Sequence, residues 1–171
     1  MPNVHQIGVH SHAAQTDFYS MTITSSASSG GGLPDFGRFQ GEKIYTVYLD
    51  MRANEEDHTF SWILQYAVVH PTTGDPADRI RGTPTSPYAT LKQVPDFSSE
   101  ISAKTTHQMV VISGVLNVTG QLEQLAVKQT PDPQIEGPLI EALKNWTFQP
   151  AQVDGNAVAL RILLGIRLSG R

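Results

Sequence analysis

The chain contains no cysteine, which removes disulfides, thiolate chemistry and Cys-ligated zinc from what it could use. It also lacks a surplus of positive charge. Its 12 Lys and Arg stand against 16 Asp and Glu, for a formal net charge of -4. The cations are scattered, with no run beyond Arg79-Ile80-Arg81. A protein that holds phosphate backbones needs a basic face, so nucleic acid is disfavoured as a partner. Long apolar runs are missing as well: no stretch approaches the roughly 18 residues of a membrane helix. Met1-Pro2-Asn3-Val4-His5 has neither the charged nor the apolar region of a signal peptide. The expectation is either a cytoplasmic protein, or a periplasmic or envelope-associated one whose export signal was removed ahead of Met1.

What is present is strand-forming. The 171 residues are 39% apolar, enough for one ordinary domain or two small ones. Val4–His10 is a short candidate strand and Phe18–Ser25 alternates as a strand should. Ser25–Gly32 is a flexible Ser/Gly loop. Lys43–Arg52 and Phe60–Val69 are dense in β-branched and aromatic side chains and are predicted strands. His70–Tyr88 is rich in proline and reads as a long loop between two halves. Thr90–Glu100 holds a short strand or turn.

The second half has a clear order. Gln108–Val118 is an apolar strand, Thr119-Gly120 a tight turn, and Leu122–Gln129 its antiparallel return. Pro138 suits the first helical position. Leu139, Ile140, Leu143 and Trp146 then share one face of a helix of about 10 residues. Asp154-Gly155-Asn156 is a turn, and Ala157–Leu168 is a long final strand. The predicted fold is α+β, mainly an antiparallel sheet with one helix packed on it. The predicted divisions are a β-rich half at 1–70, a Pro-rich connector at 71–100, and a β-β-α-β unit at 101–171. The first half reads as a worn copy of the second, with Gly8-Val9 matching Gly114-Val115, Phe18–Ser25 matching Leu122–Gln129, and Lys43–Met51 matching Ala157–Leu168.

The pattern Gly114, Gly120, Leu139, Ala142, Leu143, Trp146, Phe148, Pro150, Ala151, Gly155, Val158 and Ile162 resembles the C-terminal domain of the TonB family of energy transducers. The resemblance covers about 60 residues, from Met109 to Leu168. The family's Tyr-Pro motif ahead of the first strand is not matched by Pro87-Tyr88, and its membrane anchor and Pro-rich spacer have no counterpart in these residues. The resemblance implies a non-enzymatic module of the bacterial cell envelope. It would bind a protein or extended peptide by adding a strand to an exposed sheet edge. That edge would be Ala157–Leu168, with Val158, Leu160, Ile162 and Leu164 as the partner-binding residues; read from its own residues, so long an apolar strand is either central or a docking site, and central is the commoner case. A homodimer through the same edge is a further expectation.

Chemistry has little to build on. His10 and His12 form a His-x-His pair that, on a strand, would point both rings to one face. With only Asp17 nearby, no metal site is predicted. Asp50, Glu55, Glu56 and Asp57 lack the spacing and central glycine of a calcium loop. Asp35-Phe36-Gly37 and Gly30-Gly31-Gly32 copy fragments of nucleotide-binding motifs without the rest of either. No catalytic residue, cofactor or metal is assigned. The alternative to strand addition is a small-molecule site, with Tyr45, Tyr48, Trp62 and Tyr66 forming an aromatic wall on adjacent strands.

Overall fold

The computed structural model describes residues 5–6, 22–26, 33, 36–39, 42–50, 61–92, 95 and 97–168. The expectations placed on His10, His12, Asp17, residues 27–32 of the Ser/Gly loop, Asp35 and residues 51–60 lie outside these, while Ser25 and Ser26, expected in that loop, end the strand Thr22–Ser26. The strands are β1 (His5–Gln6), β2 (Thr22–Ser26), β3 (Ile44–Asp50), β4 (Ser61–Val68), β5 (Tyr88–Leu91), β6 (Met109–Leu116), β7 (Leu122–Gln129), β8 (Thr147–Gln149), β9 (Gln152–Val153), β10 (Asn156–Ala157) and β11 (Leu160–Arg167). Among the described residues two α-helices accompany them, α1 (Ser99–Thr105) and α2 (Glu136–Lys144).

The fold is α+β. Its main sheet runs β1-β2-β3-β4-β11-β6-β7, with antiparallel neighbours throughout. Two small sheets, β5 with β8 and β9 with β10, flank it. Side chains alternate across a strand, so each apolar strand feeds two cores. On the α2 side, Val47, Leu64, Ile112, Leu160, Ile162 and Leu164 pack with Leu139, Leu143 and Trp146. On the opposite side, Ile44, Ala67, Val111 and Leu163 are covered by Leu33 and Phe39.

Leu33, Arg38, Phe39 and Glu42 act as a strap on that second face. Arg161 Nη1 donates to both carboxylate oxygens of Glu42 at 2.8 Å, and Arg38 Nη2 donates to the Gly114 carbonyl at 3.1 Å. Burial first, and then the neighbouring Arg161 charge, lower the pKa of the Arg38 guanidinium, while Glu42 pulls it back. Gly165 supplies the seat for the strap. A Cβ there would lie 2.7 Å from Leu33 Cδ2 and 3.2 Å from Met109 Sδ.

α2 starts two residues before Pro138. A 3-10 turn at Pro133–Ile135, capped by the Asp132 side chain accepting from the Gln134 N–H, leads into it. Pro138 falls within the first turn, where backbone N–H groups have no intrahelical acceptor. The helix ends at Lys144, so Trp146 lies beyond it rather than on its apolar face. α1 was not anticipated. Its Ser98 hydroxyl accepts from the Ile101 N–H, and Glu100 and Lys104 sit at the dipole-favoured ends.

The two halves are one packing unit. β4 pairs with β11 from Val68↔Leu160 to Ile63↔Gly165. Trp62 of β4 stacks on fully buried Trp146, with centroids 5.0 Å apart and planes 8° from parallel. The stretch 71–100 is no free connector either: β5 pairs with β8, and the Thr85 N–H donates to the Gln152 carbonyl at 2.8 Å. The internal repeat fails on pairing order. β2 pairs directly with β3, whereas its supposed equivalent β7 pairs with β6 and is separated from β11 by it. Gly8 and Val9 lie outside the described residues.

Candidate functional site

The strand expected to offer an edge is the middle of the sheet. β11 pairs with β4 on one side and with β6 on the other over nearly its whole length. Leu160, Ile162 and Leu164 are buried in the core on the α2 side, and Val158, just ahead of the strand, donates its N–H to the Ala151 carbonyl. These four residues therefore cannot form a strand-adding edge. The physical reason lies in the second half of the apolar pattern: Leu163, on the other face, is as buried as Ile162, and a strand apolar on both faces belongs inside a sheet.

The aromatic wall is also a core feature. Tyr45 and Tyr66 are direct cross-strand partners and stack with centroids 5.4 Å apart. Trp62 lies on the same face under Trp146. All three are buried. Tyr48 pairs with Ile63 and so points to the opposite face. The group is split by the sheet and offers no open wall. Burial pushes the Tyr66 phenol up to about 12, against a hydrogen bond from Ser86 and with a smaller contribution from Tyr45.

One edge of the main sheet is β7, which among the described residues pairs only with β6. Its shape is set by a bulge. The β6–β7 register shifts between Ser113 and Val115, opposite Gln124, which takes φ 53. A bulge of this kind inserts one residue and turns the following side chains over. Leu122, Leu125 and Val127 consequently all reach the α2 side, where they pack on the core. Gly114 permits this. A Cβ there would come 2.9 Å from Leu125 Cδ2 and 3.0 Å from the Glu123 carbonyl oxygen.

α2 runs alongside this strand, and the two enclose an open groove of about 460 Å³ lined by Leu125, Val127, Glu136, Gly137, Ile140 and Glu141. Its floor is aliphatic and its helix rim carries two carboxylates. Gly137 leaves the rim bare: nothing lies within 4 Å of where its Cβ would be. The helix is held in place over the strand by the exit after it. The Phe148 N–H donates to the Gly120 carbonyl at 2.9 Å, and Gln121 bridges to Thr147. Gly120 has φ 85, and a Cβ on it would overlap the Phe148 carbonyl. The hairpin turn and the helix exit are thus built against each other.

Sequence reasoning missed Leu125, Val127, Glu136, Gly137, Ile140 and Glu141. A signal existed in the spacing Leu122, Leu125, Val127, where a three-residue step interrupts a period of two and marks a bulge. Elsewhere, His107 is exposed at a strand entry and His70 is half-buried with no hydrogen-bond partner for Nδ1. Among the described residues no three His, Asp or Glu side chains gather as metal ligands would. No helix there is long and apolar enough to cross a membrane. Comparison with known protein families, characterised proteins and solved structures returned no match.

Proposed function

We propose that this chain is a non-enzymatic protein- or peptide-interaction module that takes an extended segment onto the outer side of β7, with the segment's inward side chains lying in the groove beside α2. The observation that carries this reading is the outer position of β7, combined with half-buried Leu125 and Val127 beside half-buried Ile140. An unpaired strand side presents backbone donors and acceptors to any extended chain, and the adjacent pockets supply selectivity. The resemblance of Met109–Leu168 to the TonB C-terminal domain supports an envelope setting. It does so through the order of β6, hairpin, β7, α2, the Trp146-to-Ala151 exit and β11. The binding strand differs from the one that resemblance implied.

The bulges shape what β7 accepts. Register shifts occur at Val111/Ile112 and at Ser113/Val115, and exposed Glu123 and Lys128 flank the stretch between them. Such features discourage long, flat self-pairing. A short segment fits this edge better than a second copy of the whole strand.

Proline substitution tests the reading. Adjacent N–H groups of a strand point alternately toward and away from the neighbouring strand. Of Ala126→Pro and Val127→Pro, one therefore disrupts pairing with β6, and the other spares that pairing and removes an outward donor. Against an array of extended synthetic peptides, the variant that stays folded is expected to lose the peptides that the unmodified protein captures. Equal capture by that variant, or no capture by the unmodified protein, would overturn the proposal.

A further inference from the structure

We infer that the β7–α2 groove selects an extended segment in which an aliphatic side chain is flanked by Lys or Arg. This rests on the strand-addition reading above and specifies its partner. The floor is built from Leu125, Val127 and Ile140 and calls for an aliphatic group. The charged residues lining the groove are both acidic, Glu136 and Glu141, with no Lys or Arg among the lining residues. Glu141 is engaged by Lys144 at 2.6 Å, but both side chains of that pair are more than half exposed. Exposed pairs of this kind are worth little and exchange partners readily. A segment lying along β7 sends alternate side chains to the α2 side. One of them enters the groove, and its neighbours on that side reach the rim, where a cation meets a carboxylate.

Gly137 gives the proposal a clean handle. It lies on the rim, sits in the first turn of α2, and has open space where a side chain would be. A larger residue there fills the groove without pressing on the core. Most groove residues lack this property, because cutting back Leu125 or Ile140 also weakens packing.

The test uses the whole chain and three synthetic peptides of equal length with Ser at every second position, so that Val and its flanking charges fall on one side of the strand: Ser-Lys-Ser-Val-Ser-Lys-Ser (Lys-Val), Ser-Glu-Ser-Val-Ser-Glu-Ser (Glu-Val) and Ser-Lys-Ser-Ser-Ser-Lys-Ser (Lys-Ser). Affinity is read by fluorescence anisotropy at two salt concentrations, and the site by amide exchange. The Lys-Val peptide is expected to bind at least about tenfold tighter than either other peptide, a ratio equal to roughly 1.4 kcal/mol, and to slow exchange at β7. Gly137→Leu should abolish that binding while thermal stability is kept. The double change Glu136→Lys with Glu141→Lys should invert the preference toward Glu-Val. Equal binding of Lys-Val and Glu-Val with β7 protected would overturn the charge selection and leave strand addition standing. Lys-Val binding that leaves β7 exchange unchanged and is indifferent to Gly137→Leu would be attachment elsewhere, and would overturn both.

Discussion

Three glycines in the second half sit in different physical situations, and one substitution, to alanine, should give three different results. Gly120 has φ 85, and its Cβ would overlap the Phe148 carbonyl. Placing an L-residue in the left-handed region costs about 1–2 kcal/mol. Forcing the exit strand away from the turn adds an overpacking cost of about 1–3 kcal/mol. The expected loss for Gly120→Ala is therefore about 2–5 kcal/mol. Gly155, in the β9–β10 hairpin, has φ 81 but open space around its Cβ position, so Gly155→Ala should lose only the backbone part, about 1–2 kcal/mol. Gly137 is helical and open, and Gly137→Ala should gain up to about 1 kcal/mol. Urea unfolding with a shared m-value measures all three, and thermal midpoints should move by about 2–4 °C per kcal/mol. Equal losses at Gly120 and Gly155 would refute the argument that the hairpin turn and the helix exit are packed against each other. A loss at Gly137 would refute the open rim.

Further outcomes follow from the cores. Tyr66, pushed up to about 12 by burial, ionises more readily unfolded than folded, so its stabilising share is intact below about pH 10 and is lost as pH rises from there toward 12. That share is on the order of 2–3 kcal/mol; Tyr66→Phe should flatten this alkaline decline in a stability-versus-pH series, and an unchanged decline would contradict the assignment. Trp146→Ala removes the fully buried ring stacked on Trp62 and should cost about 3–5 kcal/mol, with near-ultraviolet circular dichroism reporting loss of the Trp pair. Gly165→Ala should unseat Leu33 and cost about 1–3 kcal/mol; faster proteolysis near Leu33 and Phe39 is expected without global unfolding, and an unchanged cleavage pattern would count against the strap.

The elements legible in the sequence were those whose signal is local. β7 has the predicted bounds, and the hairpin glycine and the Asp154-Gly155 turn adopt the positive φ their residues favour. α1 escaped notice because its seven residues carry no periodic apolar face, only half-buried Ile101 and buried Thr105. A serine at position 98 is by itself a weak helix signal without that periodicity. Side-chain alternation puts Trp62, Leu64 and Tyr66 on one face of β4, yet it does not say whether that face meets solvent or α2. The edge that the resemblance implied at β11 fails for the same reason. Pairing is a property of which strands meet, and only the burial of both Ile162 and Leu163 distinguishes a central strand from a docking edge. The groove itself depends on a bulge at Gln124 and a bare Gly114 across from it, a juxtaposition that no local pattern encodes.

Residue-resolved amide exchange of the free chain tests the central claim most directly, because it needs no partner. β11 is paired on both sides and β7 on one. The account predicts slow exchange at successive amides of β11, and an alternation in β7 in which inward amides are slow and outward ones fast. Uniform slow exchange along β7, or fast exchange within β11, would contradict it.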